Sequence, residues 1–289
     1  MKTRREHLTL ITPPPPVFAD SRYRDSDTLA AALARNVADD LRAAIAQRGQ
    51  AKLALSGGST PLRFLQALSR EVLDWSRVLV LPVDERWVPS VHKRSNERLL
   101  RDTLLQNKAA TARLLPLFRP VATPERALQA VMTQVALQAL PLDVVVLGMG
   151  EDGHIASLFP DLVRRDIGLQ PNGRAPVLAV RTTAAPEARM TLTLSAIFTA
   201  PALYLHIEGD AKRRVFDTAI DDARSRLPVR ALLAQAPVAP RLFWCPDAAQ
   251  PQLAPSPACG GRLGWGHAVP DVVESPHPNP PPRAGEGTK

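Results

Sequence analysis

The sequence predicts an α/β fold, a mostly parallel sheet with helices on both faces. Short apolar runs rich in valine and leucine alternate with segments whose apolar residues recur every three or four positions. The runs end in glycines or charges, at Ser56-Gly57-Gly58, Asp84-Glu85-Arg86, Gly148-Met149-Gly150 and Glu208-Gly209-Asp210, as strands of βα units do. No repeat of fixed period interrupts this order.

Each element has a local reason. Asp27 is placed to cap a helix carrying Leu29, Leu33, Val37, Leu41 and Ile45, with Gly49 as its stop. Ala51–Ser56 reads as a strand, followed by Gly57-Gly58-Ser59-Thr60-Pro61 and a helix through Phe64, Leu65 and Leu68. Val78–Val83 is the next strand. Ser95 can cap a helix with Leu99, Leu100 and Leu104, and Pro124 suits the first turn of one with Leu128, Val131 and Val135. Val144–Leu147, Val177–Val180, Met190–Leu194 and Leu203–Ile207 read as further strands, and a helix is expected from Ala211. These elements make a single domain over residues 15–249. Residues 250–289 hold nine of the 29 prolines and little periodicity, and are expected to be a disordered tail.

Composition narrows the function. Apolar residues make up 45% and charged residues 22%, the balance of a soluble globular protein. No apolar run approaches the ~18 residues of a membrane span, so no membrane is expected as a partner. The start, Met-Lys-Thr-Arg-Arg-Glu-His, runs quickly into Pro13–Pro16 and is not read as a secretory signal. Cys245 and Cys259 form no disulfide framework, which fits a reducing cytoplasm. No metal-ligand spacing appears, so neither metal nor cofactor is expected. The net charge is +8, yet the arginines are scattered among acids without interleaved aromatics. A basic site for an anionic metabolite is preferred over nucleic acid.

Four constellations carry chemistry. Ser56, Gly57, Gly58, Ser59 and Thr60, between a strand and a helix, can seat an anion on backbone N–H groups and hydroxyls. They can equally be a tight turn capped by Ser59 or Thr60. Neither a dinucleotide fingerprint nor a P-loop is present. In Asp84-Glu85-Arg86, the guanidinium suits a bidentate grip on phosphate, but seen alone three charges at a strand exit favour a solvated loop. In Gly148–Pro160, Asp152 precedes His154 by two residues, and a carboxylate can orient an imidazole as general base. A catalytic role is favoured for His154 over a structural one. Lys212 stands in a first helical turn, against the helix dipole, a position that an anion would explain. A solvated lysine behind an Asp210 N-cap explains it nearly as well. Arg181 and Arg189, near two other strand ends, can add positive charge. His206 inside an apolar strand reads as a core histidine, and His267 and His277 fall in the tail.

Taken together, Ser56-Gly-Gly-Ser-Thr-Pro61, Asp84-Glu-Arg-Trp-Val-Pro89, Ser95-Asn-Glu97, Gly148-Met-Gly-Glu-Asp-Gly-His-Ile-Ala-Ser-Leu-Phe-Pro160 and Gly209-Asp-Ala-Lys212 resemble the 6-phosphogluconolactonase family, in family order over about residues 15–245. The resemblance implies a Rossmann-like fold. It also implies a cytoplasmic esterase of the pentose phosphate pathway that opens 6-phospho-D-glucono-1,5-lactone without metal or nucleotide. His154 matches the family's proposed base, and Arg86 and Lys212 match its phosphate-binding side chains. The sister family, glucosamine-6-phosphate deaminase, usually has tyrosine where this chain has Arg86, and Asn-Glu-Pro where it has Leu158-Phe159-Pro160. Ile155 replaces the threonine common in lactonases. An amino-sugar-phosphate isomerase/deaminase and a non-catalytic sugar-phosphate-binding protein are the alternatives. No Gly-x-Ser-x-Gly elbow is present, so water rather than serine is the expected nucleophile.

Overall fold

The computed structural model describes residues 16–247; the expected tail at 250–289, with His267 and His277, lies outside them. In chain order the elements are β1 (Ala19–Arg22), α1 (Ser26–Arg48), β2 (Ala51–Leu55), α2 (Leu62–Leu68), β3 (Val78–Pro82), β4 (Asp84–Arg86), α3 (Asn96–Thr103), β5 (Arg113–Leu114), α4 (Pro124–Gln134), β6 (Val144–Gly148), α5 (Arg165–Gly168), β7 (Val177–Val180), β8 (Arg189–Leu192), α6 (Leu194–Ile197), β9 (Ala202–Glu208), α7 (Asp210–Asp221), α8 (Pro228–Gln235) and β10 (Arg241–Cys245).

Seven strands form one sheet in the order β1-β10-β9-β6-β2-β3-β5, and every neighbouring pair is parallel. From β2 the chain builds outward through β3 to β5. From β6 it builds the other way, through β9 and β10. The direction of winding therefore reverses between β2 and β6. Side chains of β6 alternate faces: Val144 and Val146 pack with α1, α2 and α3, whereas Val145 and Leu147 pack with α4, α7 and α8. Helices thus cover both faces, and the strands read as nearly continuous apolar runs because neither face meets water.

Three expectations need correction. The cap of α1 is Asp25 rather than Asp27. The Asp25 carboxylate accepts from the Thr28 backbone N–H, and the Thr28 hydroxyl oxygen accepts from the Asp25 N–H, a reciprocal box that Asp27 cannot form from inside the first turn. The apolar spacing was unaffected by this shift: Leu29, Leu33, Val37 and Leu41 are all fully buried. Gly49 ends the helix at φ +74°, a left-handed angle that glycine adopts without strain.

The second correction concerns the later strands. β7 and β8 do not join the main sheet; with β4 they form a separate antiparallel sheet in the order β4-β8-β7. Residues 181–188 are too few for the crossover that parallel neighbours require, so the pair must turn back on itself. The last of them also ends earlier than expected, at Leu192, because the Thr193 hydroxyl caps α6. Third, Asp84-Glu85-Arg86 is no solvated loop. It is β4, with Asp84 and Glu85 buried, reached directly from β3 through Val83. The Val83 N–H donates to Leu55 and its carbonyl accepts from Leu192, which ties the small sheet to the large one.

Leu53 is fully buried in β2 between β3 and β6. Leu53→Ala should cost about 2–5 kcal/mol in unfolding free energy, read by chemical denaturation. A loss under about 1 kcal/mol would show that this strand does not carry the core.

Candidate active site

A cleft lies where the winding reverses, beyond the carboxyl ends of β2 and β6, the position at which open α/β sheets bind ligands. Its accessible volume is about 310 Å³, near the lower end of small-molecule sites. Ser56 to Pro61, Arg86, Asn96, His154, Arg189 and Lys212 are among the residues that line it.

His154 is delivered by the loop that leaves β6. The loop folds on itself: the Gly150 N–H donates to the His154 carbonyl at 2.9 Å, and the Gly153 N–H to the Gly150 carbonyl at 3.0 Å. Gly153, at φ +77°, supplies the left-handed turn between Asp152 and His154. Asp152 Oδ1 then lies 2.5 Å from His154 Nδ1 and also accepts from the His154 backbone N–H. Burial opposes the Asp152 charge, but the hydrogen bonds to His154 outweigh it and hold the carboxyl below its ordinary value. An ionised carboxylate only accepts, so in the neutral ring Nδ1 carries the proton and Nε2 keeps its lone pair. Phe159 packs beside the ring at 4.6 Å between centroids. A methyl on Gly150 would fall 2.3 Å from the ring and 2.6 Å from Asp152 Oδ1. The imidazole therefore sits where only a bare glycine leaves room.

Positive charge gathers on three other elements, β4, β8 and α7. The pairing of β4 with β8 sets Arg86 directly opposite Arg189. Like charges opposed across strands are destabilising. Part of the cost is relieved by Asp84, whose carboxylate lies 3.7 Å from the Arg189 guanidinium and accepts from the Ser157 hydroxyl. Burial pulls Arg189 below the ordinary guanidinium value, Asp84 opposes this, and the facing Arg86 adds to it. Among the described residues the Arg86 side chain makes one bond, from Nη1 to the Arg94 carbonyl at 2.7 Å. The Nε atoms of both arginines are buried without a partner among the described residues. Lys212, in the first turn of α7, donates from Nζ to the Thr60 hydroxyl at 3.1 Å and so joins the glycine loop to the same cleft.

Within that loop, α2 begins after Pro61 with no side-chain cap, so neither Ser59 nor Thr60 is spent as one. Gly209, not Asp210, is the N-cap of α7. The Ser56 hydroxyl accepts from the Gly148 N–H at 2.9 Å, which ties the exit of β2 to that of β6. Of the residues expected here, Asp152 and Arg181 do not line the cleft; Asp152 reaches it through its bond to His154, whereas Arg181 is turned away. Its side chain is 62% exposed and pairs with Glu125 of α4. The turn from β7 to β8 carries it outward, a consequence of the separate sheet.

Three cleft residues went unassigned in the sequence. Asn96 and Asp84 were quoted only as parts of motifs, because nothing local distinguishes them from caps or solvated acids. His206 is a core histidine, as expected, with Nε2 bonded to Glu208 at 2.8 Å, yet it also lines the cleft floor. Glu85 lies behind the site. Burial pushes its carboxyl up to about 7, against the pull of the N–H groups of Asn96, Glu97 and Arg86. Among the described residues no group of three or more His, Cys, Asp or Glu side chains is placed to hold a metal ion. In the same residues no helix is long and apolar enough to cross a membrane.

Comparison with known proteins agrees with this geometry. The family described as glucosamine-6-phosphate isomerases/6-phosphogluconolactonase matches residues 24–244. The 6-phosphogluconolactonase of Rhizobium meliloti (strain 1021) is 44% identical over 225 residues, covering 78% of this chain and 97% of the relative. That of Mesorhizobium japonicum is 47% identical over 226 residues, covering 78% and 94%. The crystal structure of a 6-phosphogluconolactonase from Shewanella baltica OS155 superposes with a TM-score of 0.76 at 38% identity, covering 79% of this chain and 97% of that one. With a reversed-winding cleft, a carboxylate-held histidine and relatives of this closeness, the chain belongs to the glucosamine-6-phosphate isomerase/6-phosphogluconolactonase family.

Proposed function

We propose that this protein hydrolyses 6-phospho-D-glucono-1,5-lactone to 6-phospho-D-gluconate in the cytoplasm, in the oxidative pentose phosphate pathway, with no nucleic-acid partner. The observation that carries the reading is an imidazole whose Nδ1 is fixed by Asp152 in a cleft that also holds Arg86, Arg189 and Lys212. Relatives named 6-phosphogluconolactonase support the substrate.

In this mechanism Nε2 of neutral His154 takes a proton from water as the water oxygen bonds to the lactone carbonyl carbon. The tetrahedral intermediate collapses, the ring C–O bond breaks, and the leaving oxygen takes that proton back. Asp152 keeps the ring in the tautomer that can act, and stabilises the imidazolium while it exists. The phosphate is far from the reacting carbon. Held by Arg86, Arg189, Lys212, the hydroxyls of Ser59 and Thr60 and the loop of Ser56, Gly57 and Gly58, it fixes the carbonyl before the base. Arg86 and Arg189, opposed across two strands, then gain the counter-charge that Asp84 supplies only in part.

The direct test is turnover of freshly generated phosphogluconolactone above its spontaneous opening, read as 6-phosphogluconate. Rates equal to the background, or ammonia release from glucosamine 6-phosphate in its place, would overturn the reading. His154→Ala should lower kcat by about 10²–10⁴-fold with little change in KM. Asp152→Asn, which no longer favours the proton on Nδ1, should lose about 10²-fold or more. Wild-type kcat in either variant would remove that residue from its role.

Lys212→Ala and Arg86→Ala should each raise KM about tenfold or more, the loss of a charge-assisted contact. Arg181→Ala should leave both constants within about twofold, because its guanidinium is engaged elsewhere. The reverse pattern in steady-state kinetics would place the phosphate on the other side of α4.

Gly150→Ala should lower kcat at least as much as Asp152→Asn, since the methyl displaces ring and carboxylate together. Near-native kcat with the alanine visible in a crystal structure would show that the imidazole has room to spare.

A further inference from the structure

Asn96, the first residue of α3, is 2% exposed and touches two of the elements that form the cleft. Its Nδ2 donates to the Asp84 carbonyl at 2.8 Å and reaches Asp84 Oδ1 at 3.3 Å. Both partners are acceptors, so the amide has one orientation, nitrogen toward Asp84 and Oδ1 away from it. Oδ1 is turned to the glycine loop, buried and without a donor among the described residues. A methyl on Gly57 would fall 2.0 Å from Oδ1 and 2.3 Å from Cγ. Gly57 is not among the glycines at positive φ, so backbone freedom does not account for it. The carboxamide does. A buried acceptor left unsatisfied costs stability, a cost that filling space alone does not require.

The seat of Asn96 is rigid. Glu85, fully buried, accepts from the N–H groups of Asn96 and Glu97, both at 2.7 Å, from that of Arg86 at 2.8 Å and from the Ser95 hydroxyl at 3.2 Å. One carboxylate thus binds the first turn of α3 to the strand that carries Asp84 and Arg86.

We propose that Asn96 is a positioning residue whose carboxamide, wedged between Asp84 and the bare Cα of Gly57, sets the spacing between the glycine loop and the Arg86 strand and so the width of the anion clamp. The proposal rests on the reading of this cleft as a sugar-phosphate site. Asn96 touches no reacting atom; it acts through the two surfaces it separates.

A double-mutant cycle tests it, with Gly57→Ala, Asn96→Ala and the pair together. Three measurements are taken on each full-length variant: lactonase kcat and KM, inorganic-phosphate affinity by calorimetry, and melting temperature. Gly57→Ala should raise KM about tenfold or more, because methyl and carboxamide cannot share one space. Asn96→Ala should raise KM and weaken inorganic phosphate by about fivefold each, with kcat within about threefold of wild type. In the double variant the methyl gains the space of the lost carboxamide. Its KM should fall at least about fivefold short of the product of the single effects, and it should melt above Gly57→Ala. If Gly57→Ala does not fold, recovery of a folded double variant carries the same meaning. Effects that simply multiply would overturn the proposal, as would wild-type KM and phosphate affinity in Asn96→Ala. Absence of both turnover and phosphate binding in the unmodified protein is a separate result: it removes the sugar-phosphate reading, and the proposal with it.

Discussion

Hydrogen-bond register in a parallel ladder points every strand the same way, so seven carboxyl ends emerge along one edge of this sheet. Leu55 of β2 stands beside Val146 of β6, and Gly148 of β6 beside His206 of β9. The loops that follow these strands must leave together. Reversal of the winding between β2 and β6 then keeps the two exits from being covered by a single crossover, and the gap is the cleft. The Ser56 hydroxyl bonded to the Gly148 N–H fixes the two exits to each other. His154, the glycine loop and Lys212 of α7 all inherit their positions from that ladder.

The small antiparallel sheet adds what the large one cannot. β3 runs straight into β4 through Val83, and the pairing with β8 brings two arginines face to face. Such an arrangement is held only because its surroundings resist the repulsion: the Asp84 carboxylate lies 3.7 Å from the Arg189 guanidinium, and Ser157 and Asn96 both donate to Asp84. Glu85, behind them, is a buried acid surrounded by donors. Buried polar groups at this density are costly unless nearly all are satisfied. Of the five buried side-chain atoms left without a partner among the described residues, three, Nε of Arg86 and of Arg189 and Oδ1 of Asn96, belong to residues on the cleft wall, while Glu187 Oε2 and Trp244 Nε1 do not. Imbalance concentrated at one place is the usual sign that a site is shaped for something other than stability.

Glycine and histidine illustrate how little of a site one residue type reveals. Gly150 and Gly57 are both required by contact, the first by the His154 ring and the second by Asn96. Gly153 is required by backbone angle. In the sequence all three look alike. His154, in the loop after β6, and His206, within β9, each bond a carboxylate two residues away. One is a third exposed, with no bond to Nε2 among the described residues, while the other is almost fully buried against Glu208.

What the sequence by itself determined was periodicity and local punctuation. The helix faces, four of the parallel strands and the glycine loop were legible because period 3.6, period 2 and turn residues are properties of neighbouring positions. The link from Asp152 to His154 was legible for the same reason, since a single glycine separates them. β1, β5 and β10 passed unread: the first two are short edge strands with little apolar signal, and β10 shows its burial only when paired with β9. Tertiary structure alone decided the rest. It placed Arg189 opposite Arg86, sent Arg181 outward to Glu125, and set Asn96 against Gly57, because each of these depends on a partner distant in the chain. Pairing register and helix packing, not local propensity, choose such partners.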